Sequence, residues 1–192
     1  MTFRDPLNIV VLVSGTGTLL QSLIDHQGTA YRIVRVVADK DCPALERAGR
    51  AGIEALTVPL EGDRDVWNVR LADTVEAAAP DYVVSAGFMK ILGALFLDRF
   101  GGRTVNTHPA LLPSFPGAHA VRDALAYGVK VTGSTVHFVD AGVDTGPIIA
   151  QKPVEVVDGE DEAELHERIK KVERRLIVSV LEGFHRAGAS PD

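Results

Sequence analysis

The chain has 192 residues, of which 46% are hydrophobic and 24% are charged, and its formal net charge is −6. This length suits one domain spanning residues 1–192, and an acidic balance without a basic run argues against nucleic acid as a partner. A single cysteine excludes an intrachain disulfide and, with an N-terminus unlike a secretory signal, indicates a cytoplasmic protein. The chain shows no zinc-ligand spacing and no run approaching ~20 apolar residues, so we expect neither a metal ion nor a membrane span.

Strands and helices alternate along the first two thirds of the chain. The first strand is a continuous apolar run rich in β-branched residues, which suits a strand buried on both faces. Strands are predicted over residues 8–13, 31–38, 53–58, 81–86 and 104–107, and helices over 19–24, 44–51, 63–78 and 119–127. This alternation indicates an α/β protein with a doubly wound, mostly parallel sheet. Ligands of such sheets bind beyond the carboxyl ends of the strands.

The pattern changes after residue 128. Strands over 130–139 and 147–157 follow each other without a helix, so we expect a C-terminal antiparallel strand pair joined by a loop at 140–146. A long amphipathic final helix is predicted over 161–185, because apolar residues recur there at helical spacing. Residues 187–192 are expected to fray.

A turn of small residues joins the first strand to its helix. It contains Gly15 and Gly17, followed by Thr18 at the start of the helix. Free backbone N–H groups and the helix dipole favour an anion at such a turn, so the motif predicts a phosphate site. It lacks the third glycine of a dinucleotide fingerprint, and a plain tight turn between strand and helix is the alternative interpretation.

The predicted fifth strand ends in a rigid segment that presents polar groups. Asn106 and His108 lie two residues apart and so point to the same side of an extended backbone, whereas Thr107 points to the other. Pro109 holds His108 out of the helical region. Residues 87–92, after the fourth strand, mix apolar side chains with Lys90. They suit either a wall for a flat ligand with an anionic tail or core packing beside a solvated lysine.

Three stretches together resemble the folate-dependent formyltransferases. They are NTHPALLP with FPG at residues 106–117, GSTVHFVD at 133–140 and GVDTGPII at 142–149. The motifs are long and correctly ordered, and the resemblance extends from residue 8 to about residue 184. It is strongest to the branch that formylates phosphoribosylglycinamide in purine synthesis.

This resemblance implies site residues and substrates. A formyl group would pass from 10-formyltetrahydrofolate, the co-substrate, to the amine of phosphoribosylglycinamide by direct attack, without a metal ion. Residues 1–100 would form a phosphate-binding half, and 101–192 a folate-binding and catalytic half. The resemblance also implies a cis bond between Leu112 and Pro113. The implied catalytic residues are Asn106, His108 and Asp144, with His137 as an orienting residue; the acceptor site is Gly15, Gly17, Thr18, Leu19 and Glu173; and the folate site is Arg64, Met89, Lys90, Ile91, Leu92 and Asn106.

The sequence departs from the family pattern at three of its positions. Leu19 stands where asparagine is frequent, so only a backbone contact to the acceptor could survive there. Lys90 replaces a frequent arginine, and Ser85 a larger apolar residue. His137 also suits the role of a buried, hydrogen-bonded strand histidine.

Other functions stay open on the sequence alone. A formyltetrahydrofolate hydrolase or an amino-sugar formyltransferase would share the motifs, and a non-catalytic nucleotide-binding module is the alternative from another class. The chain is too short for the added domain of a formyltransferase that acts on tRNA. The sequence is compatible with a monomer or a homodimer.

Overall fold

The computed structural model describes residues 5–188 and shows one seven-stranded sheet flanked by helices. The strand order is β3-β2-β1-β4-β5-β6-β7. The strands are β1 (Leu7–Val13), β2 (Tyr31–Ala38), β3 (Ala55–Thr57), β4 (Tyr82–Ser85), β5 (Thr104–His108), β6 (Val131–Phe138) and β7 (Ile148–Glu155). The helices are α1 (Thr18–His26), α2 (Pro43–Arg50), α3 (Arg64–Glu76), α4 (Ala94–Phe100), α5 (Ala120–Tyr127) and α6 (Glu162–Ala187).

The strand pairing confirms the predicted architecture. Strands β1 to β5 pair in parallel, whereas β6 pairs antiparallel with both β5 and β7. Strand β1 is buried on both faces from Ile9 to Val13, as its unbroken apolar run predicted: each of these five residues has no exposed surface. The bond between Leu112 and Pro113 is cis, also as predicted.

Two apolar cores lie on opposite faces of the sheet. Val11 of β1 packs in the first core with residues of α1, α2 and α6. Leu12 packs in the second core with α3 and α4, whose Trp67 and Phe100 are fully buried. The first face is called here the α6 face and the second the α3 face. This arrangement follows from the alternation of side chains along each strand.

The sequence pattern missed helix α4. This helix has only seven residues, lies between Gly93 and Gly101, and has no side-chain cap. Its start is held by a tertiary contact instead, because the side-chain oxygen of Asn68 accepts the N–H of Gly93 at 2.7 Å. Such a contact leaves no local signal in the sequence.

The chain ends differ slightly from the prediction. Helix α6 continues through Ala187, where fraying was expected, and the rest of that predicted tail, 189–192, lies outside the described residues. Asp161 caps the helix with a capping box shared with Glu164. No helix within residues 5–188 is long and apolar enough to cross a membrane.

Candidate active site

Strand β5 sends consecutive side chains to opposite faces of the sheet. Val105 belongs to the core of the α6 face, whereas the Thr104 hydroxyl donates to the carbonyl of Phe100 on the α3 face. By alternation, Asn106 and His108 share the α3 face and Thr107 lies on the α6 face. The antiparallel register places His137 of β6 directly opposite Asn106. Two imidazoles and one amide therefore meet at the carboxyl end of β5.

The carboxylate of Asp144 lies between the two imidazoles. Its Oδ2 atom is 3.3 Å from Nδ1 of His108, and its Oδ1 atom is 3.6 Å from Nε2 of His137. The N–H of Gly117 donates to Oδ2 at 2.8 Å. The predicted catalytic residues Asn106, His108 and Asp144 are thus brought together although 38 positions separate the first from the last (144 − 106).

These neighbours keep the Asp144 carboxylate ionised. The pKa of Asp144 lies below its usual value, chiefly because of the His137 side chain, and burial opposes this effect. The N–H of Gly117 and the charge on His108 lower the pKa further. The site consequently holds a negative charge next to two imidazoles across the neutral pH range.

Both ring nitrogens of His108 face oxygen atoms. Nε2 lies 2.8 Å from the carbonyl oxygen of Phe115, and Nδ1 faces Asp144. A doubly protonated ring satisfies both acceptors by donating to each. Phe115 and Asp144 themselves have φ of 51° and 56°, a conformation uncommon for residues other than glycine. The backbone on both sides of this buried imidazole is held in an unusual geometry, as is common at functional sites.

His137 connects Asn106 to the rest of the cluster. Its Nδ1 atom is 2.8 Å from the carbonyl oxygen of Phe138, and its Nε2 atom is 3.3 Å from Nδ2 of Asn106. With only Nδ1 protonated, Nε2 accepts a hydrogen bond from the Asn106 amide, whereas a protonated Nε2 presents its N–H to Oδ1 of Asp144. The second N–H of that amide stays available to a ligand. His137 is also 2% exposed, so it is both a buried strand histidine and part of the site.

Asp140 organises the loop that carries Asp144, a role that the sequence reasoning missed. Oδ1 of Asp140 accepts hydrogen bonds from the N–H of Gly142 and the hydroxyl of Thr145, at 3.1 and 2.7 Å. An aspartate that binds the backbone two residues on is a known turn former, so the Asp-x-Gly spacing was the available signal. Gly142 has no room for a side chain, because an added Cβ would lie 2.0 Å from Oγ1 of Thr145.

A cleft of about 180 Å³ opens beside this cluster on the α3 face. Its walls combine Ser85 and residues 88–92 with Asn106, His137 and the loop that carries Asp144. The lining residues are Ser85, Phe88, Met89, Lys90, Ile91, Leu92, Asn106, His137, Val139, Asp140, Gly142, Val143 and Asp144. The cleft thus brings the predicted folate residues 89–92 to three of the predicted catalytic residues, Asn106, His137 and Asp144, whereas the buried His108 does not line it. Met89 is 76% exposed and Ile91 is 58% exposed, so both present apolar surface to solvent at the cleft.

The cleft wall is fixed from behind by polar contacts. The Arg64 guanidinium donates to the carbonyl oxygen of Ile91 at 2.9 Å, so it braces the wall rather than lining it. The Ser14 hydroxyl accepts the N–H of Met89 at 2.8 Å. Lys90 is neither fully solvated nor free, because its Nζ atom lies 3.4 Å from the buried carboxylate of Asp39.

The predicted phosphate turn lies at the carboxyl end of β1. Gly17 has φ 72° and precedes α1 without a side-chain cap, so the first turn of the helix keeps free N–H groups. Gly15 is exposed and Thr18 is half-buried. Leu19 is 7% exposed and packs in the core of the α6 face, so its side chain is structural. Its backbone N–H alone can serve a ligand.

Glu173 of α6 lies on the same face of the sheet as this turn. Its half-buried carboxylate accepts a hydrogen bond from the side chain of Thr107, the residue between Asn106 and His108. Burial raises the pKa of Glu173 to about 7, against the lowering effects of Thr107 and of two cations, Lys170 and Arg174. The Ser22 hydroxyl donates to the carbonyl of Arg174 at 3.4 Å and so joins α1 to α6 beside this carboxylate.

No group of three or more histidine, cysteine, aspartate or glutamate side chains between residues 5 and 188 is placed to hold a metal ion. The site combines hydrogen-bond donors and the Asp144 carboxylate with an adjoining cleft at the carboxyl edge of the sheet. This arrangement is typical of an α/β enzyme that acts on a small molecule.

Comparison with known proteins gives the family. The model of the family described as formyl transferase matches residues 7–181. A phosphoribosylglycinamide formyltransferase from Mycobacterium tuberculosis (strain ATCC 25618 / H37Rv) is 57% identical over 189 residues, which cover 96% of this chain and 88% of that protein. The enzyme of the same name from Escherichia coli (strain K12) is 39% identical, over 93% of this chain and 87% of that one. The chain belongs to the formyl transferase family, and it is a transferase.

A solved structure agrees in fold. The crystal structure of glycinamide ribonucleotide transformylase 1 from Symbiobacterium toebii superposes with a TM-score of 0.93 at 39% identity. The match covers 97% of this chain and 92% of that one. The family and the fold that the sequence motifs indicated are therefore confirmed.

Proposed function

We propose that the protein transfers the formyl group of 10-formyltetrahydrofolate to the amine of phosphoribosylglycinamide, a step of purine synthesis. The observation that carries this proposal is the meeting of Asn106 and Asp144 with the cleft wall at 89–92, with Nδ1 of His108 lying 3.3 Å from Oδ2 of Asp144. Relatives with 57% and 39% identity bear the name of this reaction. No metal ion is required by the chemistry, because the donors and the base are side chains.

The two substrates would approach the end of β5 from opposite faces of the sheet. The cleft on the α3 face suits the flat, largely apolar folate, with Met89 and Ile91 as exposed apolar surface. The turn at Gly17 and the carboxylate of Glu173 lie on the α6 face, where they suit the phosphate and the hydroxyl groups of the acceptor. The formyl carbon and the amine would then meet beside Asn106.

The proposed reaction is direct attack by the amine on the formyl carbon. A C–N bond forms, the carbonyl oxygen becomes an oxyanion, and the free N–H of Asn106 donates to it. His108 is the second donor, and the oxyanion replaces one of its present acceptors, the Phe115 carbonyl or Asp144. Each preorganised donor of this kind lowers the activation free energy by on the order of 3 kcal/mol.

Asp144 would accept the proton that the attacking amine releases. The amine must lose one proton after attack, and the Asp144 carboxylate, ionised at neutral pH, is placed to accept it directly or through water. The bond between the formyl carbon and N10 of the folate then breaks, and N10 takes the proton. The products are the formylated amine and tetrahydrofolate.

The test is formyl transfer measured with phosphoribosylglycinamide and in a control without acceptor. Asp144→Asn and His108→Ala should each lower kcat by about 10²- to 10⁴-fold while cooperative unfolding is retained. Asp158→Asn, in an exposed pair with Lys130, is the matched control and should leave kcat unchanged. Near-normal turnover by either site variant would refute the assigned roles.

The same assay separates the alternatives. Loss of the formyl donor without any acceptor would identify a hydrolase. Transfer only to an amino sugar would identify a different acceptor.

Three further expectations stay predictions. They are the division of the chain into a phosphate-binding half and a folate-binding half, the cytoplasmic location, and the choice between monomer and homodimer.

A further inference from the structure

Helix α2 lies in direct contact with the turn that precedes α1. A Cβ atom added at Gly17 would lie 2.7 Å from Cβ of Ala44 and 3.2 Å from Cδ of Arg47. The backbone of the turn therefore packs on the first residues of α2 and on the aliphatic part of the Arg47 side chain. Only glycine allows this approach, because a side chain would clash with Ala44. The φ of 72° at this position is also unfavourable for other residues.

Two consecutive carbonyl groups of the turn are bound by α2. The N–H of Ala44 donates to the carbonyl oxygen of Gly15 at 3.1 Å, and Nε of Arg47 donates to that of Thr16 at 2.8 Å. In a planar trans peptide the C=O and the following N–H point in opposite directions. The N–H groups of Thr16 and Gly17 are consequently turned away from α2. Successive N–H groups that point to one side form a concave site for an anion.

The Arg47 guanidinium also brings a positive charge without a nearby carboxylate. Its Nη1 atom donates to the side-chain oxygen of Gln21 at 3.2 Å, and Gln21 in turn donates to Asp25 at 2.8 Å. No aspartate or glutamate between residues 5 and 188 lies within ion-pair distance of Arg47, in contrast to the paired Arg35, Arg99 and Arg168. The half-buried charge lies behind the turn, where it favours an anion on the other side.

We propose that Arg47 is a positioning residue for the phosphate group of the acceptor. It fixes the Thr16 carbonyl, aims the Gly17 N–H at the phosphate and adds positive charge to the turn. This inference rests on the proposed function for the identity of the acceptor. It makes α2 part of the apparatus that distinguishes a phosphorylated acceptor from an unphosphorylated one.

The first test is kinetic and uses Arg47→Met, which keeps the aliphatic length and removes the donors and the charge. The KM for phosphoribosylglycinamide should rise about 5- to 30-fold, as expected when a partly buried positive charge near a bound anion is removed and the Gly17 N–H is no longer held in place. The kcat and the KM for 10-formyltetrahydrofolate should change by less than about twofold. Arg50→Met is the matched control, because Arg50 is exposed on the same helix, and it should behave as wild type.

A second variant separates position from charge. Arg47→Lys keeps the positive charge but loses the planar guanidinium that reaches Thr16 and Gln21 together. It should recover only part of the loss in KM. Full recovery by lysine would overturn the positioning role, and so would a wild-type KM in Arg47→Met. An equal rise in the KM of both substrates would show a general structural defect instead and would also overturn it.

The third measurement does not depend on the reaction. Inorganic phosphate should raise the unfolding temperature of the wild type and of Arg50→Met, and raise that of Arg47→Met much less. Equal shifts in all three proteins would refute the inference. If no acceptor is formylated but these shifts differ as expected, the proposed function fails and the role of Arg47 in anion binding stands.

Discussion

Glu173→Gln should stabilise the protein at alkaline pH. Burial raises the pKa of Glu173 from its ordinary value of 4.5 to about 7. Between these values the folded state binds more protons than the unfolded state, so stability falls as pH rises through this window. The difference of about 2.5 pH units corresponds to at most about 3 kcal/mol lost by the wild type above pH 7. Glutamine does not ionise and still accepts the hydrogen bond from Thr107.

The assay is urea unfolding of wild type and variant at about pH 4.5 and about pH 8.5. The free energies of unfolding should be similar at the acidic pH, and the variant should be more stable by up to about 3 kcal/mol at the alkaline one. Glu167→Gln, at an exposed position on the same helix, should show no such gain. A gain of Glu173→Gln that is the same at both pH values would refute the assignment of the effect to ionisation.

Two further changes test the local structure. Gly17→Ala should lower the free energy of unfolding by about 1–2 kcal/mol or more, because φ is 72° and the new Cβ would meet Ala44; a variant as stable as wild type in urea would contradict this close packing. Asp63→Ala should cost about 1 kcal/mol, because the Asp63 side chain accepts the first N–H groups of α3, and thermal unfolding that matches wild type would show that this cap contributes nothing.

The sequence predicts the strands well, since each carries its own signal. β1 is an apolar run and β5 ends at a proline, so their ends were placed within one residue. Helix α4 escaped because its start depends on Asn68, which is 25 positions from Gly93. Helix propensity calculated over a short stretch of sequence cannot reveal a contact between residues so far apart in the chain.

The candidate site was likewise predicted only in part from the sequence. The sequence motifs predicted catalytic roles for Asn106, His108 and Asp144 through resemblance, and alternation alone placed the first two on one face. Neither source showed that the Phe115 carbonyl and the Gly117 N–H hold the imidazole and the carboxylate. Nor did they show that Lys90 pairs with a buried carboxylate, since residue 39 is 51 positions away (90 − 39). Main-chain partners and remote ion pairs come from the fold.

The two faces of strand β5 are lined by different functional side chains. Asn106 and His108 lie on one side of it and Thr107, with Glu173, on the other. Because the side chains alternate with a period of two, a slip of one residue would exchange the two compartments. The antiparallel pairing with β6 fixes this register through Asn106 and His137. A single insertion within β5 would exchange the side chains that face the two proposed substrate sites, whereas insertions in the outer loops would leave this alternation unchanged.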